Sequence, residues 1–178
     1  KTPLFGSCWG LQVITVAAGG VVRRNPKGRE IGFGRRIRLT PAGRGHPMYG
    51  GKDEVFNAVT VHLDEVETVA PGTQVLSSNL TSAVQSAEIR VGEAVAWGTQ
   101  YHPEYTLGDI AATLRRYGKT LVDDGFFPDE DNLLAYAREL DLINVDPSVK
   151  WLTWRHALDQ VILDKAIRVK EISNWLDH

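Results

Sequence analysis

The tightest constraint on this chain is a turn within its first ten residues. Thr2-Pro3-Leu4-Phe5 reads as the end of a strand and runs directly into Gly6-Ser7-Cys8-Trp9-Gly10. Leu11, Val13, Ile14, Val16 and Ala17 then space as a short buried helix, stopped by Gly19-Gly20. Strand, Gly-x-Cys-x-Gly and helix in that order form a nucleophile elbow with cysteine in the reactive position. Such a turn is sharp and strained, so its central side chain projects from the top of the sheet. Small flanking residues let the two backbones pass closely. The helix N-terminus that follows favours a thiolate and offers backbone N–H groups to an oxyanion. The plainer alternative is a lone buried cysteine beside a glycine turn, and this motif alone does not separate the two.

A second motif does more. Gly98-Thr99-Gln100-Tyr101-His102-Pro103-Glu104-Tyr105 follows a strand candidate and precedes a helical pattern. That places it at the C-terminal edge of a strand, where open α/β sheets build their sites. A cysteine hydrolase needs a base near the thiol and a group that orients the base. His102 and Glu104 fit those two roles, with Pro103 fixing the backbone between them.

Composition removes the competing classes. At 178 residues, with 43% hydrophobic and 24% charged residues, the chain has the balance of one globular domain. No apolar run reaches the roughly 20 residues needed to span a bilayer, so no membrane association is expected. One cysteine, Cys8, forbids an internal disulfide and favours a reducing, cytoplasmic compartment. One cysteine and scattered histidines give no metal-ligand spacing, so no metal or other cofactor is expected. The net charge is −2, but unevenly spread: residues 1–50 carry nine Lys and Arg against the single acid Glu30. Aromatics for base stacking are sparse in that stretch. It therefore reads as a solvated hairpin facing acidic parts of the same protein, and no nucleic acid is expected.

Along the chain, Gly28–Thr40 reads as one or two exposed strands and Pro41–Lys52 as a loop. Val55–Leu63 reads as a strand with Val55, Val59 and Val61 on one face. Val75–Ser78, Ala83–Arg90 and Glu93–Tyr101 are further strands. From Leu107 the period becomes helical, with Leu107, Ile110, Ala111, Leu114, Tyr117 and Leu121 on one face. A helix from Asp129 and a last helical region after Asp146-Pro147 follow. Trp151, Trp154 and Trp175 read as packing residues, and His46 and His156 as surface or packing groups.

Taken together, Gly6-Ser7-Cys8-Trp9-Gly10-Leu11-Gln12 and Gln100-Tyr101-His102-Pro103-Glu104 resemble the class I, triad-type glutamine amidotransferases. The nearest likeness is to stand-alone proteins similar to the amidotransferase domain of GMP synthase. It covers roughly residues 3–121. It implies an α/β fold: a three-layer α/β/α sandwich on a flavodoxin-like, mainly parallel sheet. Residues 1–125 would be the core, and residues 126–178 a helical C-terminal extension packed on it.

The resemblance also implies a mechanism. Cys8 attacks the side-chain amide carbon of glutamine, His102 passes the thiol proton to the departing ammonia, and Glu104 holds the imidazole. The Trp9 N–H is an oxyanion donor, while Gln12 and the segment at His62 and Leu63 contact the substrate. Three departures from the family stand out. Leu63 occupies a position where the GMP-synthase type usually has glycine. No synthetase domain follows, so ammonia would need a separate acceptor synthetase. The strands that precede the elbow in the family, with the glycine loop that gives a second oxyanion donor, lie outside the chain as given. These departures keep two alternatives open: a γ-glutamyl peptidase or hydrolase using the same triad, and a catalytically silent binding module.

Overall fold

The computed structural model describes residues 3–178; Lys1, which opens the chain, and Thr2, the first residue of the expected strand, lie outside the described residues. The chain divides into two compact units, residues 1–104 with 164–178, and residues 105–163. The boundary expected at residue 126 falls inside the second of these units, which begins close to Leu107, where the period becomes helical.

The first unit is built on a six-stranded sheet in the order β1-β8-β7-β6-β3-β4. Its strands are β1 (Leu4–Ser7), β3 (Glu30–Leu39), β4 (Val55–His62), β6 (Thr73–Ser78), β7 (Ser86–Val91) and β8 (Ala94–Thr99). A separate antiparallel ribbon pairs β2 (Val21–Arg24) with β5 (Asp64–Thr68). Parallel pairing occurs between β1 and β8, whose ends carry the two motifs, with Ser7 opposite Thr99. The other pairs in the sheet are antiparallel. Connection length explains the mixture: a tight turn at Gly92 can join β7 to β8 only antiparallel, whereas β1 reaches β8 across most of the unit.

Helix α1 (Trp9–Ala17) packs on one face of this sheet, where Leu11 joins Val66, Val84, Ala87 and Ile89 in a buried cluster. The opposite face is covered by the segment after β3 and by helix α9 (Lys170–Leu176), with Trp175 against Phe5. The expected α/β layering is therefore present within this unit.

Three local expectations need correction. Residues 41–52 are not a simple loop: α2 (Pro41–Arg44) and a 3-10 turn (Pro47–Tyr49) form there, each with proline at its start. Thr40 caps α2 by accepting from the Gly43 N–H at 3.0 Å, and Met48 and Tyr49 are buried. In β4 the more buried face is Phe56, Ala58, Thr60 and His62, while Val55 is exposed. The poor alternation of β3 has a cause: a bulge between Gly34 and Ile37 shifts the register. Buried positions are even-numbered before it and odd-numbered after it. Arg36 sits at the bulge with φ 52° and donates its N–H to Asn57 Oδ1 at 2.9 Å.

Part of the basic stretch faces acids of the same unit, as Arg23 pairs with Glu65 and Glu67 and Arg44 with Glu54.

The second unit is helical. α3 (Leu107–Arg116) opens with a capping box between Thr106 and Asp109. The helix breaks at Tyr117 before α4 (Gly118–Asp123), so the single apolar face expected through Leu121 spans two helices. α5 (Glu130–Val145) is capped by Asp129, and α6 (Lys150–Arg155) and α7 (Gln160–Leu163) complete the unit. Trp151 and Trp154 are exposed rather than packed, because Leu152 and Thr153 take the buried side of the short α6. The remaining helix, α8 (Lys165–Arg168), lies in the first unit before α9. Among the described residues no helix is long and apolar enough to cross a membrane.

Candidate active site

The elbow is a real backbone strain. Cys8 has φ 50° and ψ −104°, one of three described non-glycine residues with positive φ. Such conformations typically cost about 1–3 kcal/mol and persist only where the surroundings hold them. Here the Cys8 N–H donates to the Thr99 carbonyl at 2.7 Å, tying the elbow to the end of β8. Gly6 lets strand and helix approach: a Cβ there would lie 2.6 Å from the Gly10 carbonyl carbon and 2.8 Å from the Leu11 nitrogen. Gly10 has no such role, since a Cβ there would meet nothing within 4 Å. The reason for two small flanks therefore holds at the first glycine only.

The half-buried Cys8 thiol lies 3.5 Å from the Val61 carbonyl oxygen. Gln100 Nε2 donates to Cys8 Sγ at 3.6 Å, and Gln100 is completely buried. His102 Nδ1 is 2.7 Å from Glu104 Oε1, and the His102 backbone N–H is anchored on the Val59 carbonyl at 2.8 Å. With Nδ1 committed to Glu104, Nε2 is the ring nitrogen left for the thiol. Burial alone would lower the His102 imidazole, but hydrogen bonds and charge from Cys8 and Glu104 push it up to about 9. Burial likewise raises Glu104, and this is outweighed by its bonds to His102, the backbone and Ser7, which hold it below the usual carboxylate range.

Cys8, His102 and Glu104 come together where β1 and β8 end. Trp9 is the first residue of α1, where helix N–H groups have no intrahelical acceptor, and the residue is 75% exposed. Gln12 is buried beneath the elbow, and its Nε2 donates to Gln100 Oε1 and to the Asp64 carbonyl, both at 3.1 Å. Trp9, Gln12, Val13, Val16, Val22 and Asp64 line a cavity of about 400 Å³ beside the elbow.

His62 is turned away from such a role. Its Nε2 lies 2.8 Å from Glu30 Oε2 and its Nδ1 is 2.9 Å from the Asp64 carbonyl oxygen. Glu30 also accepts from Asn79 and Gln85. The side chain of His62 is spent in a buried network. Leu63 is half-buried, and its carbonyl accepts from the Asn25 N–H at 2.9 Å.

Two neighbours of the thiol received no role from the sequence. Gln100 sits inside the second motif, but nothing in the spacing says that its amide reaches sulfur. Ser7 fills an unspecified position of the elbow pattern, yet its hydroxyl donates to Glu104 Oε1 at 2.8 Å and Oε2 at 3.0 Å. The signal for Ser7 was its place one residue before a strained turn, facing the strand that carries the histidine. Among the described residues no group of three or more His, Cys, Asp or Glu could hold a metal ion.

Fold and geometry together define an α/β protein with a cysteine elbow facing a histidine–carboxylate pair. The family model for glutamine amidotransferase class-I matches residues 1–117. The chain belongs to the class I glutamine amidotransferase family, a family of enzymes. Among curated proteins, a gamma-glutamyl-L-1-hydroxyisopropylamide hydrolase from a Pseudomonas species is 34% identical over 180 residues, covering 99% of this chain and 61% of that protein. The glutamine-hydrolyzing GMP synthase of Thermosipho africanus is 33% identical over 104 residues, covering 58% of this chain and 19% of the synthase. The chain thus spans about three fifths of the first relative's length and a fifth of the second's. In fold, it is similar to a glutamine amidotransferase from Thermotoga maritima, with TM-score 0.64, 17% identity, and coverage of 98% of this chain and 62% of that one. A glutamine amidotransferase from Methylobacillus flagellatus gives TM-score 0.58 at 20% identity, covering 98% and 62%.

Proposed function

We propose that this protein hydrolyses a γ-glutamyl amide bond through Cys8, His102 and Glu104. The observation that carries this reading is the strained cysteine at φ 50° next to a histidine whose Nδ1 is held 2.7 Å from a carboxylate. Cys8 Sγ, its proton already passed to the His102 imidazole, attacks the amide carbon. The oxyanion forms at the start of α1, where the Trp9 N–H is free of intrahelical bonding. The C–N bond then breaks as His102 returns the proton to the departing nitrogen, leaving a γ-glutamyl thioester on Cys8. Water, deprotonated by His102, attacks the thioester and releases glutamate and the thiol. Gln12 and the backbone at Leu63 hold the amino-acid end of the substrate. The His62 side chain supports that backbone from the core and does not touch substrate.

The leading substrate is glutamine, with ammonia as product, released to water or passed to a separate synthetase. A second reading is a γ-glutamyl group on a substituted amine. The observation that favours it is coverage: the Pseudomonas hydrolase matches 99% of the chain, C-terminal helices included, whereas the GMP synthase match covers 58%. The two readings share every chemical step and differ in what leaves.

The experiment measures ammonia from glutamine and amine from γ-glutamyl alkylamides and dipeptides with full-length protein. Either activity, abolished by Cys8→Ala, is the expected result, and the more efficient substrate decides between the readings. No turnover of any of them, together with failure of an electrophilic glutamine analogue to label Cys8, overturns the hydrolase and leaves the binding module.

A further inference from the structure

The elbow presents two side chains to the histidine motif, not one. Cys8 bonds to the His102 ring, while Ser7, the residue before it, bonds to Glu104. Ser7 Oγ lies 2.8 Å from Oε1 and 3.0 Å from Oε2, so its single hydrogen is shared across the carboxylate. The same oxygen is 3.3 Å from His102 Nδ1, close enough to fix the side from which that nitrogen sees Glu104. Its fourth neighbour is the Tyr101 carbonyl at 3.5 Å. The contacts close a ring: thiol to imidazole, imidazole to carboxylate, carboxylate to hydroxyl, and hydroxyl back to the thiol through one peptide unit.

We propose that Ser7 is a positioning residue for the hydrolysis, holding the Glu104 carboxylate so that it keeps His102 in register with Cys8. This rests on the triad reading given above. Glu104 needs such a partner. Its side chain is 38% exposed, in a turn outside any helix or strand, and water competes for its oxygens. A hydroxyl delivered from the rigid end of β1 supplies a fixed donor where solvent would supply a mobile one. Because β1 is hydrogen-bonded to β8 with Ser7 opposite Thr99, the donor moves with the strand end that carries His102. Charge-assisted hydrogen bonds of this kind are the stronger class in proteins. Ser7 also contributes to holding Glu104 ionised, so its loss acts on the acid side of the pH profile.

The test compares wild type, Ser7→Ala and Ser7→Thr in two assays. The first follows kcat and KM against pH on the best γ-glutamyl amide. The second follows the rate of Cys8 alkylation by iodoacetamide against pH, which reads the Cys8–His102 pair without a substrate. Ser7→Ala is expected to lower kcat about tenfold with KM within about twofold, the scale of one hydrogen bond to a charged group. The acid limb of kcat and the alkylation midpoint both move to higher pH, and Ser7→Thr, which keeps the hydroxyl, restores them. A Ser7→Ala protein with wild-type kcat and unmoved profiles overturns the proposal. So does a loss of activity that tracks a lowered melting temperature, with both pH limbs in place and no rescue by threonine. A wild-type alkylation profile of an ordinary isolated thiol overturns the triad reading itself. A perturbed wild-type profile that Ser7→Ala leaves unchanged overturns Ser7 alone.

Discussion

His102 Nδ1 and Glu104 Oε1 lie 2.7 Å apart across a single intervening proline. Two residues apart, a histidine and a glutamate on a regular strand would point the same way without meeting head-on. Pro103 and the turn around it fold the carboxylate back onto the ring. The consequence is electrostatic: the imidazole is held up to about 9, against the depressing effect of burial, by Cys8 and Glu104. Glu104→Gln removes one of those supports. His102 is expected to titrate at lower pH, and kcat to fall by about 10- to 100-fold, the range of a weakened general base. NMR titration of the His102 ring and a pH–rate profile check both. The linked stability has a definite sign. A raised histidine pKa stabilises the fold fully below the unfolded value near 6.5 and ceases to do so as pH rises through about 9.

The two elbow glycines separate experimentally. Gly6→Ala puts a methyl 2.6–2.8 Å from α1 backbone and the Ile14 side chain, a crowding that only a shift of the helix relieves. A destabilisation of about 1–3 kcal/mol is expected from such overpacking, with a larger loss of activity because Cys8 moves with the helix. Gly10→Ala meets open space. Inside the first turn of α1 it is expected to be neutral or to stabilise by up to about 1 kcal/mol, since alanine is the better helix former. Urea denaturation with parallel activity measurements tests the pair.

Much of the site was legible because its residue types are forced by geometry. A strained strand-to-helix turn with no room at Gly6 admits few sequences, and the second motif keeps the proposed base, His102, and its proposed orienter, Glu104, adjacent in the chain. What stayed hidden depended on distant partners or on phase. The bulge at Arg36 moves the buried positions of β3 from even to odd, so alternation measured across it averages away. β5, with the sequence Asp64-Glu65-Val66-Glu67-Thr68, has too few apolar residues to register as a strand, yet it pairs with β2 and buries Val66. Glycine and proline content made residues 41–52 read as a loop. Thr40-Pro41 and His46-Pro47 were the overlooked signals, each a capping side chain followed by proline at the first position of a turn. Ser7 and Gln100 gain their meaning only when residues over ninety positions away arrive beside them.

His62 tests the difference between proximity to a site and membership of it. Its imidazole is buried against Glu30, and Glu30 is held below the usual carboxylate range: burial raises it, and bonds and charge from His62, Asn79 and Gln85 reverse this. His62→Ala leaves that carboxylate buried without its main partner. A loss of about 3 kcal/mol or more is expected, as for other broken buried pairs. The depressed Glu30 also fixes a pH sign. Its contribution is present above the ordinary glutamate range and is lost as pH falls through the lowered native value. The mutant should therefore lose much of the wild-type protein's acid sensitivity at this site. Denaturation curves at about pH 7 and about pH 4, on either side of the ordinary glutamate value, measure both effects.

Glu171 on α9 poses the sharpest stability question, because it is a wholly buried carboxylate far along the chain from its partners. Lys52 pairs with it through a side chain that is itself 1% exposed, and the Tyr101 hydroxyl donates to Oε1 at 2.6 Å. Tyr101 in turn meets the Tyr49 hydroxyl at 2.8 Å, and Tyr49 reaches Ser86 at 2.6 Å. Burial first, and the Glu171 charge second, push both phenols well above their ordinary range, so they remain protonated donors. Glu171 Oε2 has no hydrogen-bond partner among the described residues. A charge in that position depends on Lys52 more than on any neutral donor. Lys52→Met is expected to cost about 3–5 kcal/mol, since it strands a buried anion. Lys52→Met combined with Glu171→Met removes both charges and is expected to recover part of that loss, the remainder being the cost of the buried Tyr101 hydroxyl left without its carboxylate acceptor. Tyr101→Phe removes one donor from the carboxylate and should cost about 1.5–3 kcal/mol. A double-mutant cycle by urea denaturation measures the coupling. Equal instability of the single and double lysine variants would show that packing at α9, rather than the ion pair, holds this face of the sheet together.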